Sequence, residues 1–190
     1  YDWHEQNVWG FDPADAGSWA IVHVPDRAEP ALFAACSPDA CSSDADRIGA
    51  MSVGLGKIAS VPSPDRSEVE ALALGEAETD LWCEVSTSVH DGRPGHQALG
   101  FPDPIQADFM ELECQLVSNG LYCGDAAVFN DARARNLKPG AADWRLLLQI
   151  DSDDDLGVMF GDGGKVYFFL RQQDAEARRF DRSWLIFQCH

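Results

Sequence analysis

Apolar positions along this chain follow a clear rhythm in its last third. The sequence reads W-R-L-L-L-Q-I-D over 144–151, K-V-Y-F-F-L over 165–170 and W-L-I-F-Q-C over 184–189. In the first of these, side chains alternate between two faces, so Trp144, Leu146, Leu148 and Ile150 fall on one side and Leu147 and Gln149 on the other. The other two are apolar on both faces, which predicts strands that are central in a sheet or covered by helices. Acid- and glycine-rich turns separate the first two.

Elsewhere the pattern is weaker. A turn-rich stretch around V-W-G-F-D-P-A-D-A-G-S-W leads to a predicted strand over 19–24, with 31–36 available to pair with it. Residues 37–62 are rich in Ser, Asp, Gly and Pro and read as a long loop. Ser63-Pro64 opens a predicted helix that runs to 74 and stops at Gly75. A short strand follows over 80–86, then a loop over 92–107. Asp108 and Glu111 have the spacing of a capping box, with Asp in place of Ser or Thr. The helix they would start places Phe109, Leu112 and Leu116 near one stripe and ends at Asn119-Gly120. Another short helix is predicted over 131–137, stopped by Lys138-Pro139-Gly140. Strand runs with isolated helices indicate an α+β fold, a mixed, mainly antiparallel sheet with a few short helices in one domain over 1–190.

Composition narrows the function classes. With 190 residues, 45% apolar, the chain is long enough for a proper core. Its 32 acids against 14 bases give a net charge of −18, which argues against binding a nucleic-acid backbone; the acidity serves solubility or, on the sharper reading, offers a surface to a basic protein partner. No apolar run approaches the roughly 18–20 residues of a membrane span, so no membrane partner is expected. Six cysteines without close pairing suggest reduced thiols in a cytoplasmic protein, with Cys83 and Cys189 in apolar strands.

Candidate chemistry centres on two polar stretches. Asp151, Asp153 and Asp155 match positions 1, 3 and 5 of a calcium loop, with Asp162 at position 12 and Asp154 among them. Leu156 stands where that loop needs Gly, so water-facing turn residues explain the acids as well as a cation does. Gly161-Asp162-Gly163-Gly164-Lys165 lacks the spacing of a phosphate loop and reads as a tight turn. His90 and His96, with Asp91 between them, could serve as a base or a ligand, or His96 could pin its loop. Cys114 falls mid-helix, away from the cationic settings that activate a thiol. Trp3, Trp9 and Phe11 form an aromatic group that reads as packing. No catalytic residue and no cofactor is assigned.

Four blocks carry a family resemblance: V-W-G-F-D-P-A-D-A-G-S-W near the start, H-Q-A-L-G-F-P-D-P-I-Q over 96–106, M-E-L-E-C-Q-L-V-S-N-G-L-Y-C-G over 110–124, and a C-terminal run ending R-F-D-R-S-W-L-I-F-Q-C-H. Together they resemble the YwqG-like family, a bacterial domain family of unknown function. The resemblance implies an α+β fold, a cytoplasmic setting and no established enzymatic residue. Members begin with a further N-terminal part, so this chain, opening at Tyr1, is expected to lack it. The resemblance also implies an immunity-like role, neutralising a basic toxin. The expected function is therefore a protein-binding domain, contacting its partner through the acids at 151–155 and the 90–106 loop. The alternative is a cation-dependent enzyme or metal-binding module using His90, Asp91, His96 and the acids Asp151, Asp153, Asp154, Asp155 and Asp162.

Overall fold

The most apolar strand pattern in the sequence becomes the middle of a sheet. In the computed structural model, which describes residues 5–23, 52–106 and 108–190, four strands lie in the order β1-β2-β3-β4. These are β1 (Gln97–Ala98), β2 (Trp144–Asp151), β3 (Lys165–Arg171) and β4 (Trp184–Gln188). Every pairing among the described residues is antiparallel, in keeping with the mainly antiparallel sheet expected. The α+β class stands. No helix among the described residues is long and apolar enough to cross a membrane.

Both faces of β3 and β4 are buried, as their unbroken apolar runs require. On one face Tyr167, Phe169, Trp184 and Ile186 join Trp144 and Leu146, and Met110, Cys114 and Val117 of helix α3 (Met110–Val117) cover them. On the other face Val166, Phe168, Leu185 and Phe187 pack with Val158 and Phe160, with Val8, Trp9 and Ile21 alongside. Each such large side chain contributes on the order of 1.5–3 kcal/mol by leaving water. Trp9 stacks on Phe187 with ring centroids 4.5 Å apart, so it is packing; Trp3 lies outside the described residues.

The N-terminal segment also covers the outer edge of β4. Phe187 N–H donates to Trp9 O at 3.0 Å, and Trp184 Nε1–H donates to Gly10 O at 2.8 Å. Gly10 has φ +88°, and a Cβ there would lie 1.9 Å from Leu185 O. Only glycine permits this approach, which satisfies an edge that would otherwise be a template for unwanted pairing.

The alternation read across 144–150 is broken. Leu146 pairs with Phe169 and Leu148 with Phe168, so Leu147 is an extra residue, a β-bulge. Trp144 and Leu146 face α3, while Leu148 and Ile150 pack in the opposite cluster. Beyond the bulge Gln149 and Asp151 therefore share the α3 side with Tyr167 and Lys165, their cross-strand partners. A one-residue shift in register exchanges the two faces of a strand.

Other expectations are corrected. Residues 19–23 join no ladder; Trp19 instead packs edge-on against Trp184 (5.1 Å) and its Nε1–H donates to Ser183 O. Its expected partner at 31–36 and the loop over 37–51 lie outside the described residues. The helix read over 63–74 shrinks to α1 (Ser67–Glu70). The strand read over 80–86 is part of α2 (Glu76–Ser88), which Gly75 and Glu78 start: Gly75 N–H donates to Glu78 Oε2 at 2.8 Å. A short apolar run cannot by itself separate strand from helix, and the capping chemistry decided it. Cys83 is accordingly exposed on α2 rather than in a strand, and Cys189 lies just beyond β4, half-buried. Helix α4 (Ala132–Leu137) does begin at Asp131, whose side chain accepts from Arg133 N–H, but a 3-10 segment, Lys138–Asp143, carries on through the expected stop.

Asp108 and Glu111 do not cap α3, which has no side-chain cap bond. Arg66, just before α1, binds both instead, with Asp108 at 2.5 and 2.7 Å and Glu111 at 2.7 Å. The Asp108 side chain is fully buried. Burial alone would lower the Arg66 pKa, yet these two carboxylates outweigh it and raise it. The sequence spacing that suggests a cap is therefore used as a clasp between α1 and α3.

Candidate functional site

The polar end of the sheet is where most of the sequence candidates meet. Cross-strand rows Gln97–Gln149–Tyr167 and Asp151–Lys165–Gln188 place amides, a phenol and charges side by side. Gln149 and Gln188 are buried, and a buried amide without partners would be costly. The 95–106 loop supplies the partners. Asp103 N–H donates to Gln149 Oε1 at 2.9 Å, and Tyr167 O–H donates to Asp103 O at 2.8 Å. Gln188 Oε1 accepts from Ile105 and Gln106 N–H, both at 3.0 Å. Gln97 Nε2–H donates to Leu99 O and Phe101 O at 2.7 Å each. The Lys165 ammonium pairs with the Asp103 carboxylate and lies 3.7 Å from Asp151. This rack holds the G-F-P-D-P-I-Q stretch as a fixed shape over the sheet.

His96, Asp151 and Asp153 come together in the same frame. Asp151 N–H donates to His96 Nδ1 at 3.1 Å, which leaves the ring proton on Nε2, 3.0 Å from Asp153 Oδ2. That bond holds the Asp153 pKa below the usual carboxylate range. Asp151 Oδ2 accepts from Gly95 N–H at 2.7 Å, and Asp153 Oδ1 accepts from Asp155 N–H at 2.8 Å in an Asx turn. Asp154, Asp155 and Asp162 are exposed, as is Asp91, which sits at φ +52°. Among the described residues no group of three or more His, Cys, Asp or Glu is arranged to hold a metal ion.

His90 stands apart from that frame. It lines a cleft of about 210 Å³ bounded by Ser60, Ser63, Ser86, Thr87, Phe101 and Asp103. Its Nε2 is buried with no hydrogen-bond partner among the described residues. Burial pushes its pKa below the ordinary value, with Lys165 and His96 adding to the fall and Asp103 and Asp151 opposing it.

A second feature escaped the sequence reading altogether. Helix α2 has 13 residues and none is buried. Leu81 is 60% exposed and Val85 44%, and with Val61, Leu74 and Trp82 they form an apolar groove that Glu78 also lines. Trp82 is oriented by its Nε1–H, which donates to Pro62 O at 2.8 Å. Glu78 is the one acid in the lining; Glu76, Asp80 and Glu84 lie elsewhere on α2 and Glu68 and Glu70 on α1, while the one Lys or Arg between 60 and 90, Arg66, is engaged in its clasp. The available signal was the 3–4 spacing of Leu74, Leu81, Trp82, Val85 and Val89, which is a helical stripe.

The thiols offer no nucleophile in the core. Cys114 is fully buried and desolvation drives its pKa well up; burial, then the charge of Glu113, pushes Cys123 to about 12. Cys83, Cys114, Cys123 and Cys189 are free, while Cys36 and Cys41 lie outside the described residues.

Among curated proteins nothing matches this chain. A family profile does, over residues 1–189, and its description is a domain of unknown function, DUF1963. The sheet-end rack, the polar cleft and the exposed helix thus belong to a chain that is a member of the DUF1963 family.

Proposed function

We propose that this is a soluble, cytoplasmic protein-binding domain that takes a basic amphipathic segment of a partner into the groove on α2. The observation that carries this reading is the 13-residue helix with no buried residue, apolar along a groove that Glu78 also lines. An amphipathic helix is normally stabilised by covering its apolar stripe, and exposed apolar surface with a polar rim marks an interaction site. The charge of the chain fixes the sign of the partner: at −18, encounter is accelerated for a basic surface and suppressed for an acidic one. Helix-in-groove recognition uses this combination of apolar anchors and charged flanks. In the cell this takes an immunity-like form, neutralising a basic toxin or effector, as the YwqG-like resemblance implies. The acids Asp151 and Asp153 contribute less than first expected, because their carboxylates already accept internal hydrogen bonds.

The test is a titration with a synthetic Leu/Lys amphipathic peptide, followed by the emission of Trp82 and repeated with the Leu81→Asp/Val85→Asp variant. The variant is more acidic, so purely electrostatic attraction would strengthen. Binding that is lost in the variant supports the groove; binding that is kept or enhanced overturns it. In the native host, a basic partner retained by the wild type and released by the variant is the matching result.

A further inference from the structure

The His90 cleft is independent of the docking surface, although α2 forms a wall of both. Its geometry points to a binding site for a small neutral polyhydroxylated ligand, of monosaccharide size. Three observations converge on that class.

The first is charge. Asp103, the carboxylate in the lining, is matched by Lys165, and burial works against a charge on the His90 imidazole. A cleft with no uncompensated charge has little to attract an ion. The second is the donor and acceptor set. Ser60 Oγ accepts from Phe101 N–H at 2.9 Å and Ser63 Oγ accepts from Asp65 N–H at 3.3 Å, and each hydroxyl retains its own proton to donate. Ser86, Thr87 and the Asp103 carboxylate, whose side chain is 40% exposed, extend the polar wall. Hydroxyl groups that both donate and accept are the natural complement of such a lining. The third is His90 itself, which lines the cleft while its Nε2 stays buried with no hydrogen-bond partner among the described residues, so an occupant of the cleft changes the surroundings of the ring.

The remaining walls suit the same ligand. Val61, Val89, Phe101, Pro102 and Pro104 present apolar surface on which the C–H face of a sugar ring can rest. The rack beneath holds these positions rigidly, since Gln97 binds the carbonyls of Leu99 and Phe101 and Gln149 binds the N–H of Asp103. A small ligand site with apolar walls and a few fixed polar groups is the usual design.

Protein labelled with 15N-histidine would be titrated with glucose, galactose, mannose and N-acetylglucosamine, reading the His90 ring nitrogens and the melting temperature. At least one sugar should shift the His90 Nε2 resonance and, at about ten times its dissociation constant, raise the melting temperature by roughly 3–5 °C. Filling the cleft with Ser86→Phe should remove both responses while leaving peptide binding at the α2 groove in place. If no sugar in the set moves the His90 resonance, or if the shift persists in Ser86→Phe, the assignment is overturned.

Discussion

Helices α2 and α3 make an instructive pair. The 8-residue α3 buries Met110, Glu113, Cys114, Gln115, Leu116 and Val117, whereas the 13-residue α2 buries nothing. Both carry acids in their first turn and apolar residues at helical spacing. What separates them is a partner: α3 lies on the sheet, whereas α2 follows α1, which the Arg66 clasp ties to the start of α3, and its Trp82 bonds to Pro62. The difference teaches that this chain folds around one half of its apolar pattern and keeps part of the other half available. Stability should therefore respond to substitutions beside α3 and hardly at all to those on α2.

The sharpest contrast comes from Phe169→Ala. Phe169 is fully buried between α3 and β4, so its truncation should cost about 3–5 kcal/mol in denaturant unfolding. A cost under about 1 kcal/mol would mean that the sheet is not the centre of the stable core. Arg66→Met should come next, at roughly 3 kcal/mol, because it strands the buried Asp108 carboxylate. Adding Asp108→Asn should recover part of that loss; if it does not, a stranded Asp108 charge is not the source of the cost.

Glu113 supplies a pH-dependent version of the comparison. Burial raises its pKa from 4.5 to about 7. Between those values the folded state binds a proton that the unfolded chain has released, so stability is greatest below about pH 4.5 on this account and falls as pH rises through 7. Glu113→Gln should accordingly stabilise by up to about 3 kcal/mol at pH 8 and change little at pH 4. Equal effects at both pH values would remove burial of the charge as the cause. His90 runs the opposite way: its lowered pKa favours folding at high pH, and that contribution is lost as pH falls below its ordinary 6.5. The smallest effect is expected from Leu81→Ala, within about 0.5 kcal/mol, since its side chain already meets water. A loss of several kcal/mol would place α2 in the core and close the groove to a partner.

Much of the sheet was legible because V-Y-F-F-L and W-L-I-F-Q are too apolar to be anything but covered elements. The end of α3 was legible too, since Gly120 adopts φ +82° where the chain leaves the helix. Helix α2 was not, because D-L-W-C-E-V-S is short and the deciding bond lies upstream at Gly75. The clasp could not be read either: Arg66 lies 42 residues from Asp108, and only the tertiary fold brings them together. For the site, the loop histidines and acids stood out as residue types, but their partners Gln149, Lys165 and Gln188 are set by strand register. Register here depends on one inserted residue, which no period in the sequence announces.

That inserted residue has an unexpected consequence for editing β2. If the bulge were flattened with every residue kept, Leu148 would come opposite Tyr167 and Gln149 opposite Val166, which puts an apolar side chain beneath the 95–106 loop and an amide into the far apolar layer. Deleting Leu147 has the contrary result: Leu146 and Leu148 already pair with the neighbours Phe169 and Phe168, so the ladder closes into regular alternation with both faces unchanged. What the architecture holds fixed is therefore the pairing of Leu148 with Phe168, which can be met by a bulge or by a strand one residue shorter.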